Sequence, residues 1–361
     1  MAKYKKILTV IIISIFACFY LPIFSCFLAH SLAVNDAETD NQKTVAILTS
    51  GGDAPGMNAA VRSFTKTALN AGMKVIGIKY GYEGLLNSNF VYLSHEDVSG
   101  INREGGTILH SSRSTEFNTP EGVEKAAKIC KDWKISGLVV VGGDGSFRGA
   151  KDLTEYGIPC IVIPATIDND MKCSDYTIGF DTAINTVVQL IDKIRDTSKS
   201  HDRCFVVEVM GRACGDIALH TGIASEAVAV LVPEVDYDFQ NDVLEKIKLA
   251  QEKGETHFII VVAEGVDGVD KIAKQIEEQT KIDTRYIVLG HVQRGGAPTG
   301  KDREVASKMG IRAAKLLLKN KGNRAVVVRD GKIIDIDITE ALTSKKKFDE
   351  KLYKYALELG Q

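Results

Sequence analysis

The sequence lacks the features that mark several large classes of protein. Lysine and arginine (45) nearly balance aspartate and glutamate (47), so the net charge of −2 offers no chain-wide attraction for nucleic acid. The seven cysteines form no CxxC pair, which argues against a zinc site or a disulfide framework and favours a reducing compartment. No internal repeat or low-complexity tract is present. Any anionic ligand must therefore be held by local cations.

The first 43 residues are set apart from a globular body. Three lysines within the first six residues precede a charge-free run over residues 7–29, which is the pattern of a secretory signal. The run is also long enough for a membrane anchor, since about 20 residues span a bilayer, although Pro22 interrupts it. Cleavage, anchoring and an over-extended gene start all stay open, and any membrane contact is expected through this leader only.

From Thr44 onward, short apolar runs rich in β-branched residues alternate with longer amphipathic runs. This alternation predicts an α/β fold with mostly parallel sheets covered by helices, and a length of 361 residues suggests about two domains. Strands are predicted over residues 45–49, 74–78, 137–141, 160–163, 204–209, 258–262, 286–289 and 325–328. The clearest helices are predicted over residues 182–198 and 303–318.

The segments that follow the predicted strands are unusually polar. In open parallel sheets, ligands bind beyond the carboxyl ends of the strands. Five strands run into glycine, acid or arginine, in residues 50–56 (SGGDAPG), 142–146 (GGDGS), 164–170 (PATIDND), 210–212 (MGR) and 291–296 (HVQRGG). These segments are therefore expected to converge on one ligand site.

Two of these segments suggest a phosphate site. Consecutive glycines before a helix let backbone amides approach a phosphate, and Gly51, Gly52 and Gly56 suit this. The segment lacks the Lys and Ser/Thr of a Walker loop, and no GxGxxG follows a strand, so both common nucleotide fingerprints are absent. Asp144, flanked by glycines, could reach a magnesium ion held between nucleotide phosphates, with a plain aspartate turn as the alternative.

Acids and arginines complete the predicted chemistry. Thr166, Asp168 and Asp170 alternate, so in an extended stretch they project the same way, and one carboxylate could accept a substrate proton. Glu264 could bind a sugar, and His291 could contact a ligand. Five arginines that could grip phosphate lie at or beside glycine-rich turns or strand ends, namely Arg113, Arg203, Arg212, Arg285 and Arg294. The residues alone predict a magnesium-dependent phosphoryl transferase with an unnamed anionic acceptor.

Four segments also resemble the phosphofructokinase family, in particular its bacterial ATP-dependent members, over about residues 44–345. They are residues 48–58 (LTSGGDAPGMN), 166–170 (TIDND), 209–212 (VMGR) and 289–296 (LGHVQRGG), in the family's order. The resemblance implies a glycolytic enzyme of the cytoplasm with two similar three-layer lobes and an active site in the cleft between them. Residues 44–180 would bind ATP, residues 181–345 would bind the sugar phosphate, and residues 346–361 would form a C-terminal helix or tail.

The resemblance also implies the reaction and its residues. The γ-phosphate of ATP would pass to the 1-hydroxyl of fructose 6-phosphate, with Asp168 as proton acceptor and Arg113, Arg212 and Thr166 as the other catalytic residues. The implied ATP contacts are Gly52, Arg113, Ser114, Gly143, Asp144, Gly145 and Ser146, with Asp144 on Mg²⁺. The implied sugar-phosphate contacts are Thr166, Ile167, Asp168, Met210, Gly211, Arg212, Glu264, His291 and Arg294, joined by Arg203 and Arg285 from a neighbouring subunit of a homotetramer.

Other functions stay open on the sequence. Family members that use pyrophosphate carry Asp where this chain has Gly145 and Lys where it has Ala165. Gly145 favours ATP, whereas Ala165 departs from the usual glycine. A leader before two α/β lobes is also the outline of a periplasmic sugar-binding protein, although a single tryptophan, Trp133, provides few aromatic platforms. The GGDG segment alone also resembles lipid and NAD kinases.

Departures from the family pattern concern regulation. Arg62 stands in the family's effector-binding stretch, but Lys66 and His95 occupy places where arginine is usual. Val228 occupies the place of a metal-binding glutamate. Because charged hydrogen bonds are worth about 1.5 to 3 kcal/mol each, these losses predict weak or absent activation by ADP.

Overall fold

The computed structural model describes residues 42–345 and 347–360. Apart from its last two residues, the predicted leader lies outside the described residues. Within those residues, no helix combines the length and the apolar character needed to cross a membrane.

All eight predicted strands are confirmed, with small shifts at their ends. The described strands are β1 Thr44–Ser50, β2 Lys74–Ile78, β3 Phe90–Tyr92, β4 Ile135–Gly142, β5 Cys160–Pro164, β6 Cys204–Val209, β7 Ala229–Leu231, β8 Phe258–Ala263, β9 Thr284–Val288, β10 Arg324–Arg329 and β11 Lys332–Asp337. Strands β3, β7 and β11 were not predicted. The first two have only three residues each, which is too short for a clear alternation.

Both predicted helices are confirmed and begin slightly earlier than expected. The described helices are α1 Met57–Asn70, α2 Gly81–Leu86, α3 Pro120–Asp132, α4 Asp144–Glu155, α5 Phe180–Ser200, α6 Asp216–Ala224, α7 Glu245–Glu252, α8 Val269–Thr280, α9 Gly300–Leu318, α10 Ile338–Thr343 and α11 Glu350–Leu359. Helix α5 starts after Gly179, whose φ of 103° suits only glycine. Helix α9 starts after Thr299, whose hydroxyl accepts a hydrogen bond from the Asp302 amide.

The strands form two sheets, each of which is the centre of one lobe. The first lobe has a seven-stranded sheet in the order β11-β10-β5-β4-β1-β2-β3, parallel except for its two edge strands. The second lobe has a four-stranded parallel sheet in the order β7-β8-β6-β9. The α/β class with mostly parallel sheets is therefore confirmed.

The chain returns to the first lobe near its end. Residues 181–345 were predicted to form the second lobe, but β10 pairs with β5, and β11 covers β10 as an antiparallel hairpin. The reason is burial, since the apolar run of β10 is covered on both faces beside β5. The chain thus crosses between the lobes three times: between β5 and β6, between β9 and β10, and after α10, since α11 packs against α6 and β7 of the second lobe.

Successive residues of the central strands face different cores. Ile47 and Val139 belong to a core that also contains Phe205 and Val207 of the second sheet. Leu48 belongs to a separate core on the other face of the first sheet. Because one core is shared by both sheets, the loops at their strand ends lie side by side and can line a common cleft.

Candidate active site

A cleft of about 810 Å³ lies at the carboxyl ends of β1, β4, β5, β6 and β9. Most of the predicted site residues line it, namely Gly52, Arg113, Ser114, Gly143, Asp144, Gly145, Ser146, Thr166, Asp168, Arg212, His291 and Arg294. Loops that are far apart in sequence therefore meet, as expected for the carboxyl ends of parallel strands.

The glycine loops leave open space on the first-lobe side of the cleft. A Cβ atom added at Gly143 or Gly145 would have no atom within 4 Å, whereas one at Gly142 would lie 2.4 Å from the Ser50 carbonyl oxygen. Helix α4 begins here, and its free amides and partial positive charge favour an anion. This side of the cleft has the shape and charge to hold a chain of phosphates.

Asp144 is the candidate magnesium ligand. Its side chain is 52% exposed, lines the cleft, and accepts a hydrogen bond from Arg148 Nε at 2.9 Å. Among the described residues, no three His, Cys, Asp or Glu side chains cluster as a metal site. Magnesium in nucleotide sites is held by one or two carboxylates together with phosphate oxygens and water. An accessible aspartate beside the phosphate loops therefore fits an ion that enters with a nucleotide.

Asp168 is the buried carboxylate of the cleft. Its side chain is 4% exposed, and its Oδ1 has no hydrogen-bond partner among the described residues. Arg212 Nε lies 3.8 Å from Oδ2, and an Arg294 terminal nitrogen lies 4.0 Å from Oδ1. Burial raises the pKa of the Asp168 carboxyl, Asp170 raises it further, and the two arginines oppose this. An unpaired acceptor with a raised pKa is suited to take a proton.

The segment that carries Asp168 is a turn and not the extended stretch that was assumed. Asn169 has a φ of 50°, and the Asp168 amide donates to Thr166 Oγ1 at 3.3 Å. Thr177 Oγ1 donates to the Thr166 carbonyl at 2.6 Å and braces the turn from behind. Thr166, Asp168 and Asp170 nevertheless all line the cleft, so their predicted convergence is found with a different backbone geometry.

The loop of Arg212 is fixed by the second lobe. Arg212 has a φ of 54°, and its amide donates to Glu264 Oε1 at 2.6 Å. The Gly211 amide donates to the same oxygen at 3.2 Å, and the Met210 amide donates to the Gln293 side chain at 3.1 Å. Glu264 thus holds the loop that presents Arg212, a contact that the sequence did not indicate.

Some predicted site residues do not line the cleft, namely Ile167, Arg203, Met210, Gly211, Glu264 and Arg285. Arg203 Nε and Arg285 Nε instead flank Asp283, at 2.6 and 3.0 Å from its carboxylate oxygens. Ile167 is fully buried in the core shared by the lobes. Within one chain, the arginines of the cleft are therefore Arg113, Arg148, Arg212 and Arg294.

Sequence reasoning missed one end of the cleft. Tyr82 and Phe117 line it and stack with ring centres 3.9 Å apart, and the Tyr82 hydroxyl donates to the Ser146 carbonyl at 2.6 Å. Arg148 and Asp152 of α4 line it as well. None of these residues follows a strand directly, so their places in the sequence did not mark them as site residues.

Comparisons with known proteins identify the family of the chain. The profile of the family described as "Phosphofructokinase" matches residues 44–317, which is most of the chain. The chain belongs to the phosphofructokinase family. An ATP-dependent 6-phosphofructokinase from Clostridium botulinum strain Hall is 52% identical over 319 residues, which cover 88% of this chain and 100% of the relative. One from Alkaliphilus metalliredigens is 52% identical over 314 residues, covering 87% and 98%.

Two solved structures share the fold. The phosphofructokinase from Saccharomyces cerevisiae matches with a TM-score of 0.79 and 33% identity, covering 88% of this chain and 48% of the yeast chain. A pyrophosphate-dependent phosphofructokinase from Marinobacter aquaeolei matches with a TM-score of 0.76 over 88% of this chain and 91% of its own. At 21% identity, this second likeness shows the fold alone.

Proposed function

We propose that the protein is an ATP-dependent 6-phosphofructokinase, which transfers the γ-phosphate of ATP to the 1-hydroxyl of fructose 6-phosphate. The observation that carries this proposal is the position of Asp168. It is a buried carboxylate with an unpaired oxygen, it lies between two arginines of the second lobe, and it faces the glycine loops of the first. The family and the relatives at 52% identity support the same reaction.

In this mechanism, Asp168 accepts the proton of the 1-hydroxyl while the oxygen of that hydroxyl attacks the γ-phosphorus and ADP leaves. Arg212 and Arg113 stabilise the negative charge of the transferring group, and Arg294 and His291 bind the sugar phosphate. Thr166 orients the acceptor beside Asp168. Because phosphoryl transfer needs little covalent chemistry from the protein, positioning and charge are its main contributions.

The donor is held by the first lobe. Gly52, Arg113 and Ser114, with residues 143–146, would surround the triphosphate, and Asp144 would hold Mg²⁺. When bound, magnesium neutralises phosphate charge during transfer. Stacked Tyr82 and Phe117 form an apolar end to the donor side, where a nucleotide base has a surface to pack against.

ATP is favoured over pyrophosphate by the open space at Gly145. A Cβ atom added there would meet no protein atom within 4 Å, so the fold itself does not require glycine at this position. A donor longer than pyrophosphate needs that space. The family and the relatives at 52% identity also support this proposal against a sugar-binding protein and against lipid or NAD kinases.

The proposal includes a homotetramer in the cytoplasm. Arg203 and Arg285 lie outside this chain's cleft, so they would serve the cleft of a neighbouring subunit. Edge strand β9 carries Tyr286 and Val288, each 52% exposed, and offers an apolar surface for that neighbour. The five free cysteines of the described part are buried thiols, which suits a reducing compartment.

One assay tests the function. The purified full-length chain is given fructose 6-phosphate and magnesium with either ATP or pyrophosphate, and fructose 1,6-bisphosphate is measured. We expect turnover with ATP and at most a hundredth of that rate with pyrophosphate. Fructose 1-phosphate, whose 1-hydroxyl is blocked, is the control acceptor and should give no bisphosphate. A faster reaction with pyrophosphate would contradict the proposed donor, and light scattering of the same sample tests the tetramer.

A further inference from the structure

The first two crossings of the chain between the lobes are joined at one buried carboxylate. The first crossing lies between β5 and β6 and contains α5, and the second lies between β9 and β10 and contains α9. Asp302, in the first turn of α9, has no exposed surface. Its side chain accepts hydrogen bonds from residues of the first crossing.

The Asp302 carboxylate accepts four hydrogen bonds. Its Oδ1 accepts from the Tyr176 hydroxyl at 2.5 Å and from the Gly179 amide at 2.8 Å. Its Oδ2 accepts from the amide and the hydroxyl of Thr182, at 2.9 and 2.6 Å. The Thr182 hydroxyl in turn accepts from the Thr299 amide at 3.1 Å, so the two crossings are connected in both directions.

The same two crossings also carry or contact the residues proposed to take part in the reaction. On the first crossing, the Ile178 amide donates to the Pro164 carbonyl, and Thr177 braces the turn that carries Asp168. On the second crossing, Arg294 precedes Thr299 by five residues and lies 4.0 Å from Asp168. Asp302 is therefore linked through the two crossings to both Asp168 and Arg294, which face each other across the cleft.

A buried charge at this place is costly. Burial raises the pKa of the Asp302 carboxyl, and its four hydrogen bonds act in the opposite direction. An apolar contact between two helices would avoid this cost, whereas a carboxylate with four directed donors fixes one relative placement of its partners. Asp302 does not line the cleft, so ligand binding does not explain it.

We propose that Asp302 is a positioning residue for phosphoryl transfer, which fixes the two crossings to each other and thereby sets the distance across the cleft between Asp168 and the arginines of the second lobe. This inference rests on the proposed function. It predicts that a substitution at Asp302 changes the kinetic constants for fructose 6-phosphate much more than those for ATP. The donor-binding residues all belong to the first lobe, whereas acceptor binding and transfer need both lobes.

Asp302→Asn tests this split between the two substrates, because it keeps the shape and turns one acceptor oxygen into an NH₂ group that faces donors. We expect kcat/KM for fructose 6-phosphate to fall at least tenfold, while KM for ATP stays within twofold of wild type. Thr182→Val removes the hydroxyl that joins both crossings and should give the same split. The double variant should lose much less than the product of the two single losses, since both disrupt one network.

Asp335→Asn is the matched control. Asp335 has a side chain 14% exposed and pairs with Arg324 of the neighbouring strand β10 and with Arg312, which lies on α9 ten residues after Asp302. This control should lower the melting temperature but keep both kinetic constants within twofold of wild type. The same split in the control would overturn the inference, because general destabilisation would then explain it.

Different results test the proposed function and the positioning role of Asp302. A wild-type chain that does not phosphorylate fructose 6-phosphate refutes the proposed function. An active wild type with an Asp302→Asn variant whose constants stay within twofold, or change equally for both substrates, overturns the positioning role. If Asp302→Asn does not fold, Thr182→Val decides, and the absence of a split there overturns the inference.

Discussion

Replacing Asp168 by asparagine should make the protein more stable and much less active. Burial raises the pKa of the Asp168 carboxyl, and the nearest nitrogens of Arg212 and Arg294 are 3.8 and 4.0 Å away, beyond hydrogen-bond distance. The folded protein therefore disfavours the ionised form. An amide has nearly the shape of the carboxylate without its charge, so Asp168→Asn removes this cost.

The two effects have different sizes. A general base contributes about 100- to 10,000-fold, so kcat should fall by that factor, which is about 3 to 5 kcal/mol in the barrier. Each unit by which the pKa is raised costs about 1.4 kcal/mol of stability at neutral pH, and 1 kcal/mol shifts the melting temperature of a large domain by roughly 2 to 4 °C. We therefore expect the variant to melt at a higher temperature than wild type.

The stability difference between Asp168→Asn and wild type should depend on pH. With a folded-state pKa above the unfolded value near 3.9, the stability cost is present above the folded pKa and disappears as the pH falls through it. The difference in melting temperature should therefore shrink on acidification. Wild-type kcat/KM should fall over the same range, because a protonated Asp168 cannot accept the proton of the substrate.

The assay is a coupled measurement of fructose 1,6-bisphosphate together with thermal melting at several pH values. Asp152→Asn is the control, since Asp152 also lines the cleft but lies on α4, whereas the two arginines flank Asp168. It should keep kcat within threefold. A kcat of Asp168→Asn within tenfold of wild type would refute the assignment of the base, and a lower melting temperature would refute the argument from burial.

Three further predictions concern the glycine loops and regulation. Gly145→Asp should raise KM for ATP at least tenfold, because the added carboxylate repels the phosphates. Gly300→Ala is the control, at another glycine with no atom near an added Cβ, and it should leave KM for ATP unchanged; equal effects of the two changes would contradict the prediction. Gly105→Ala should raise KM for fructose 6-phosphate several-fold, because its Cβ would lie 2.4 Å from the Gly296 carbonyl oxygen beside Arg294; an unchanged KM would contradict it. ADP at low fructose 6-phosphate should change the rate less than twofold, and sigmoidal kinetics relieved by ADP would show otherwise.

Much of the fold was predictable because the signals are local. The apolar runs of β1, β4 and β5 are buried on both faces, and they end at or just before residues that change the chain direction, namely Gly51, Gly142 and Pro164. Strand β11 was also within reach, since Asp330 and Gly331 have φ values of 49° and 70° and form the tight hairpin turn that an Asp-Gly pair favours. That pair was not used to predict a hairpin.

Several parts of the site carried no local signal. Glu264 looks like an ordinary acid at a strand end, and its contacts with the Arg212 loop depend on where β8 lies beside β6. Tyr82 and Phe117 are typical core residues by type, and only their stacking at the cleft shows a further use. Their positions depend on tertiary packing, which composition and periodicity do not encode.

The sequence by itself determined the class of fold, eight of the eleven described strands and the loops that carry the chemistry, because glycine placement and apolar periodicity act over a few residues. Only the tertiary structure decided that β10 returns to the first sheet, that Asp168 is buried between arginines of the other lobe, and that Asp302 joins the first two crossings. These features depend on contacts such as that between Asp302 and Thr182, which are 120 residues apart, and such contacts form only when whole elements pack together.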